Sequence, residues 1–321
     1  MVDHFVGGAR QPDGDVYLVT GSHGHLGSYI VEELARQKDN IQIICVDNLY
    51  NGNINNLKVA LSVVENKNIS LVPVLADVTD EIIMRETFLT YRPNYVFHAA
   101  SYLTLDSNKY KSKSVKVNVY GGALLFELCL EFNVKKVVYS SSASVYGTPR
   151  LTPTKEDYPF DDCKLLYGSS KVGLEYIAKS FMEFGLEIVG LRYFNVYGPR
   201  QSLSNVYTQI VPKWINAIAN KETITIYGDG TQTMDMIFGS DIGRANVVAM
   251  DNDECKNMFI NVGTGLQTSV INLFELISDR MIKLMGDAEI DVEYDSHDPN
   301  LVKKRCASVQ KMHKYLGVHQ V

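Results

Sequence analysis

An apolar strand-like run that turns at once into a glycine-punctuated loop and then a helical pattern constrains this chain more than any other feature. Val16–Thr20 is the run, and Gly21-Ser22-His23-Gly24-His25-Leu26-Gly27 is the loop. In a GxxGxxG crossing the first glycine makes the tight turn and the second lets backbone approach a diphosphate. The third lets helix and strand touch. The positive end of the helix then faces the anion. A second signal sits at the right distance. Asp47 closes the next apolar run, about twenty residues on, where a carboxylate accepts hydrogen bonds from a ribose diol and repels a 2′-phosphate. The two together predict a dinucleotide site that prefers NAD(H). Asp77-Val78, after the third run, would bring a carboxylate near the adenine amine, and the plainer reading of Asp77 is a helix N-cap. His23 and His25 read as loop positions, because two histidines at i, i+2 without acidic or sulfur partners do not make a metal site.

Beyond the loop, strand-like and helical patterns alternate. Apolar runs at 16–20, 41–46, 69–75, 95–98, 136–140 and 187–192 are separated by helical stretches at 26–36, 80–91, 114–132 and 167–184. β-Branched content without polar alternation indicates strands buried on both faces. The pattern predicts an α/β fold, a Rossmann-type doubly wound parallel sheet. After Arg192 it breaks into shorter pieces around Pro199, Pro212 and Gly228-Asp229-Gly230. Helices are expected at 207–220, 242–251 and 269–285, with short strands at 223–226, 258–262 and 289–293. The expected division is a flexible lead-in (1–14), an NAD-binding domain (15–192) and a smaller, partly discontinuous C-terminal substrate domain (193–321).

Composition excludes several classes of function. A net charge of −6 with no Lys/Arg block argues against nucleic acid. No apolar run approaches the ~20 residues that span a bilayer. The N-terminus has neither the basic nor the apolar region of a secretion signal. Five widely spaced cysteines without a CxxC suggest neither a disulfide framework nor zinc. Cys45 and Cys129 fall in core patterns, and a reducing cytoplasm is the expected compartment, with no metal.

The chemistry-bearing signal is Tyr167-Gly168-Ser169-Ser170-Lys171. Spacing of i, i+4 puts both side chains on one helix face, where an ammonium favours the phenolate of the tyrosine. Tyr167 would then serve as a general base or acid toward a hydroxyl or carbonyl. The bland reading is a surface pair. Against it stands Ser140-Ser141-Ser142-Ala143-Ser144-Val145-Tyr146-Gly147 at the end of the fifth run. An open α/β sheet keeps its site at that edge. Ser142 would hydrogen-bond the reacting oxygen, completing a Ser142/Tyr167/Lys171 triad.

These motifs occur with Val46-Asp47-Asn48-Leu49, Val96-Phe97-His98-Ala99-Ala100, Arg192-Tyr193-Phe194-Asn195-Val196-Tyr197-Gly198-Pro199-Arg200 and Tyr227-Gly228-Asp229-Gly230. In this order the chain resembles the extended short-chain dehydrogenases/reductases over residues 15 to 318, and more narrowly the NDP-sugar epimerase/dehydratase branch, which includes UDP-glucose 4-epimerase. The resemblance implies a catalytic triad of Ser142, Tyr167 and Lys171. It implies NAD contacts at Gly21, Gly24, His25, Leu26, Gly27, Asp47, Asn48, Asp77, Val78, Ala99, Ala100, Asn118, Tyr167 and Lys171. It further implies sugar-nucleotide contacts at Ser142, Tyr167 and Asn195, a nucleotide-diphosphate sugar as substrate (a UDP-sugar favoured), and a homodimer built on helices 114–132 and 167–184.

Three departures bear on the reaction. Dehydratases of this branch carry an Asp-Glu pair where this chain has Ala143-Ser144, which cannot do that proton chemistry. Met234 stands where the family often has a diphosphate-binding arginine, leaving Arg200, Lys213 or Arg305 to supply the cation. The 298–305 segment lacks the usual Arg-x-Gly-Asp. An intact triad without an extra acid/base pair points to C4 epimerisation. A 4-keto-sugar reductase and a UDP-uronate decarboxylase use the same triad, and a non-catalytic NAD-binding sensor is the reading from a different class.

Overall fold

The computed structural model describes residues 14–62, 68–160, 163–202, 209–286, 290–296 and 302–317. Most of the expected lead-in, Tyr207 and the first residue of the strand expected at 289–293 lie outside these.

The first half alternates as its pattern predicts. β1 (Val16–Thr20), α1 (His25–Gln37), β2 (Ile41–Asp47), α2 (Ile54–Ser62), β3 (Ile69–Leu75), α3 (Glu81–Tyr91) and β4 (Tyr95–His98) follow one another. Next come α4 (Thr104–Lys109) and α5 (Lys111–Val115). The single helix expected at 114–132 is instead a π-helical stretch, Lys116–Gly121, feeding α6 (Gly122–Glu131). Within that widened turn Asn118 is buried, and its amide bonds the Tyr102 backbone rather than following the helix surface. β5 (Lys136–Ser142), a 3₁₀ turn at Ala143–Tyr146, α7 (Leu166–Glu183) and β6 (Ile188–Tyr193) complete this half.

The second half contributes to two places. β7 (Asn195–Tyr197), α8 (Ile210–Ala219), β8 (Ile224–Tyr227), β9 (Thr233–Met234) and β10 (Met236–Phe238) lead into α9 (Gly239–Asp251) and β11 (Met258–Val262). β12 (Thr268–Ser269), α10 (Val270–Met285), β13 (Val292–Asp295) and α11 (Gln310–Leu316) end the fold. The parallel sheet is seven-stranded with order β11-β6-β5-β4-β1-β2-β3. Thus 258–262, read from sequence only as a short strand beyond residue 193, pairs with β6 as the outermost strand of the main sheet.

Strand alternation splits the apolar side chains between two layers. Tyr17 and Val19 face α1, α9 and α11, packing with Ile30, Leu34, Ile242 and Met312. Val16 and Leu18 face α3, α6 and α7, packing with Phe88, Leu125 and Leu174. A separate cluster of Trp214, Ile224, Ile226, Leu273 and Ile277 holds the small lobe of α8, β8, α10 and β13. Among the described residues no helix is long and apolar enough to cross a membrane.

One polar contact runs through the core beneath the strand ends. Glu175 on α7 is fully buried and takes a two-pronged bond from Arg192 of β6, at 2.9 Å from Nε and 2.7 Å from Nη2. Ser141 Oγ donates to the same carboxylate at 2.6 Å. Arg192 Nη1 donates to Tyr146 OH (2.7 Å) and to the Glu156 carbonyl (2.8 Å). Removing one member strands the other's charge. Glu175→Ala should therefore lower unfolding free energy by about 3–5 kcal/mol, whereas Glu175→Leu with Arg192→Met should recover most of it. Urea unfolding of the three proteins measures this, and a single variant as stable as the native chain would refute the buried-pair account.

Candidate active site

The strand order reverses between β1 and β4, so their connections leave on opposite sides and open a crevice at the C-terminal ends. A cleft of about 990 Å³ begins there and extends to the small lobe.

At its start the glycine loop has little freedom. Gly21 has φ +66°, and a Cβ on Gly27 would stand 2.0 Å from the Gly21 carbonyl oxygen. The start of α1 therefore lies directly on the end of β1. Gly24 caps the helix with no side-chain hydrogen bond, and no acidic residue occupies the first turn. The open N–H groups and positive end are thus left for an outside anion, and the cradle fits the diphosphate of a dinucleotide. Asp47 is buried at the end of β2 and accepts the His23 amide at 2.9 Å and the Leu49 amide at 2.8 Å. Each oxygen keeps a second lone pair for a ribose hydroxyl.

Lys171 is buried on the first turns of α7, its Nζ donating to the Ser140 carbonyl at 2.8 Å and lying 5.7 Å from the Tyr167 ring centre. Burial pulls its pKa down to about 8, with Glu175 pulling the other way. Behind it His98 is held to about 3 by burial and by the charge of Lys171. It stays a neutral partner, its Nδ1 2.7 Å from Thr20 Oγ1. Ser142 closes β5 and accepts the Ser144 amide at 3.1 Å, which leaves its own proton to donate elsewhere.

Of the sequence-predicted site residues, the cleft brings together Gly21, Gly24, His25, Leu26, Gly27, Asp47, Asn48, Val78, Ala99, Ala100, Ser142, Tyr167, Lys171, Asn195 and Arg305. Lys213 lines it too. Three others stand off the wall. Asp77 spends its carboxylate on the Thr79 amide and hydroxyl and on Asn48 Nδ2. Asn118 is saturated by Tyr102, Ser101 and Ser170. Arg200 is turned toward α1, paired with Glu32, its guanidinium 3.6 Å from the Tyr29 ring centre. Leu103, after β4, and Thr104, which opens α4, also line the cleft.

Sequence reasoning missed Ser101, Tyr102, Trp214, Thr223, Thr225 and Gln232 on the cleft wall. The turn chemistry of Gly228-Asp229-Gly230 marked the neighbourhood of Thr223, Thr225 and Gln232, Ser101 and Tyr102 follow the Ala99-Ala100 motif, and nothing local marked Trp214. At the far end Asn195 Nδ2 contacts Met234 Sδ at 3.5 Å, while its Oδ1 is buried without a hydrogen-bond partner among the described residues. Asp235, fully buried, underpins this floor. Its carboxylate accepts the amides of Thr264 (2.6 Å), Gly265 (2.9 Å) and Ala307 (2.9 Å), and its carbonyl takes the Asn195 amide. Among the described residues no cluster of His, Cys, Asp or Glu could hold a metal ion.

Known proteins resemble this chain in both sequence and fold. Residues 17–263 match the family "NAD dependent epimerase/dehydratase". The chain is 31% identical over 296 residues to a UDP-glucose 4-epimerase of Drosophila melanogaster, covering 83% of each. It is also 31% identical over 263 residues to a UDP-N-acetyl-alpha-D-glucosaminuronate decarboxylase of Bacillus cytotoxicus, covering 79% of this chain and 76% of that protein. Among solved structures, a UDP-N-acetylglucosamine 4-epimerase from Methanobrevibacter ruminantium M1, in complex with UDP-N-acetylmuramic acid, superposes with a TM-score of 0.84 at 34% identity. That match covers 97% of this chain and 94% of the other. The protein belongs to the NAD dependent epimerase/dehydratase family of nucleotide-sugar enzymes, and its cofactor is NAD.

Proposed function

We propose that the protein interconverts the C4 epimers of a nucleotide-diphosphate sugar, of the UDP-sugar class, through a transient 4-keto sugar. The observation that carries this is a Ser142/Tyr167/Lys171 set lining one cleft, with Ala143 and Ser144, not an acid–base pair, following Ser142. In this reading Tyr167 takes the 4-OH proton and later returns it. Ser142 donates a hydrogen bond to the reacting oxygen, and Lys171 supplies the positive charge that favours the phenolate. Bound NAD supplies hydride acceptance at C4 and its return to the opposite face. Gly21, Gly24, Leu26 and Gly27 would cradle its diphosphate, Asp47 its ribose, and Ala99 and Ala100 its inner edge. Met234 removes one cation from the far end, so Lys213 and Arg305 are assigned to the substrate diphosphate. Asn195 Oδ1, buried and unanswered among the described residues, supports a donor on the sugar nucleotide.

Proton NMR of the purified protein with UDP-glucose and with UDP-N-acetylglucosamine, without added cofactor, should reveal the anomeric signal of the C4 epimer. Tyr167→Phe should slow its appearance by about a hundredfold or more. Full turnover in that variant would exclude the mechanism. No product from either sugar, but oxidation of added NADH by a 4-keto sugar, would favour the reductase.

A second expectation concerns pH. A lysine is cationic below its pKa, so Lys171 loses its charge as pH rises through about 8. kcat/KM should fall on that alkaline side, and a rate flat from pH 7 to 10 would show that Lys171 acts otherwise.

The functional unit is proposed to be a cytoplasmic homodimer. Val115 and Tyr120 before α6, with Tyr176 and Phe184 at α7, are all at least 41% exposed, an apolar surface that a second copy would cover. Light scattering after size exclusion should give twice the 36.0 kDa chain mass, and Tyr176→Glu should shift it toward the monomer. A monomeric native protein would reject this face as the interface.

A further inference from the structure

Backbone donors alone leave part of the diphosphate end of the cleft unexplained. Three side-chain nitrogens beside the start of α1 are buried with no hydrogen-bond partner among the described residues: His25 Nε2, Arg200 Nε and Arg200 Nη1. Buried polar groups in native proteins are nearly always answered, so orphans gathered at one place point to something that binds there.

Arg200 is not a stray surface side chain. It sits at a positive-φ position (72°) just after Gly198-Pro199, and its side chain is only 6% exposed. The turn is clamped to the first lobe, since Tyr29 OH donates to the Pro199 carbonyl at 3.1 Å. Among the described residues its ionic partner is Glu32, which also takes two bonds from Arg36. The carboxylate is therefore divided between two guanidiniums and does not neutralise Arg200 alone. His25 lines the cleft and meets the edge of the Tyr29 ring with centres 5.5 Å apart, while Arg200 lies on that same ring. The groups that act on His25 are Arg200 from the turn after β7 and the Tyr29 ring from α1, and the charge paired with Arg200 is Glu32. Burial and the charge of Arg200 hold His25 to about 4, so it is neutral at pH 7 without a ligand. A diphosphate arriving at α1 reverses the sign of that surrounding charge.

We propose that His25 and Arg200 form the side-chain half of the cofactor diphosphate site, His25 touching phosphate through Nε2 and Arg200 supplying buried charge behind it, and that His25 takes a proton from solvent as the diphosphate binds. This withdraws Arg200 from the substrate diphosphate, where the sequence had put it among the candidates. It rests on the NAD assignment and not on the sugar chemistry.

The test is calorimetric titration of the full-length protein, stripped of nucleotide, with ADP-ribose in two buffers of different ionisation enthalpy at pH 7. The native protein should take up protons on binding. Arg200→Met should weaken ADP-ribose at least tenfold, with Arg200→Lys recovering most of the loss. His25→Phe, which keeps the ring contact with Tyr29, should weaken binding and abolish the proton uptake. Native affinity in Arg200→Met, no recovery in Arg200→Lys, or undiminished proton uptake in His25→Phe would each overturn the proposal. Because no sugar is present, failure of epimerisation with ADP-ribose binding intact counts against the reaction and leaves this site standing.

Discussion

The contact between Gly27 and the Gly21 carbonyl sets most of the rest in place. With no side chain between them, α1 is pressed onto the end of β1, and its positive terminus is aimed into the crevice where the strand order reverses. Tyr29 and Glu32 follow within the next two turns of the same helix, so the position of one backbone contact fixes where Arg200 can dock. Any side chain at residue 27 would push the helix away and open the anion cradle and its flank together.

Charge is buried on the opposite side of the crevice under a different constraint. Among the described residues Lys171 donates to a carbonyl and makes no direct carboxylate contact, whereas Arg192 one strand away is paired with Glu175 through both its Nε and Nη2. The pair carries its own neutrality and bolts α7 to β6, and a residue of the field of Glu175 reaches Lys171. One charge is kept firmly, as scaffolding requires. The other is held near the point of losing its proton, as acid–base work at neutral pH requires.

How much of this was legible depended on whether a residue's role is local. The glycine loop, Asp47 and the Tyr167/Lys171 spacing act through backbone geometry and helix periodicity, and they stand where the pattern put them. Asp77 enters through its place after the third run and the family resemblance, Asn118 through the resemblance alone and Arg200 through the fit of a guanidinium to phosphate. The partners their side chains take here, Thr79, the Tyr102 backbone and Glu32, are set by tertiary contacts that no local pattern encodes. Trp214, Thr223 and Thr225 reach the cleft only because the small lobe packs its own core, which no local pattern encodes. Likewise, 258–262 read correctly as a strand, but its place at the sheet edge depends on a long connection that returns to β6.

The four backbone bonds gathered by Asp235 tie Asn195, Thr264, Gly265 and Ala307 into one knot beneath the far end of the cleft. The segments between these points loop outward and carry α8, β8, α10 and β13. A knot of this kind separates inheritance of position from inheritance of shape. Excursions of differing length and composition can be hung from the same four anchors, so lineages of this architecture are free to resculpt the outer wall for new ligands while the floor holds its register with the sheet.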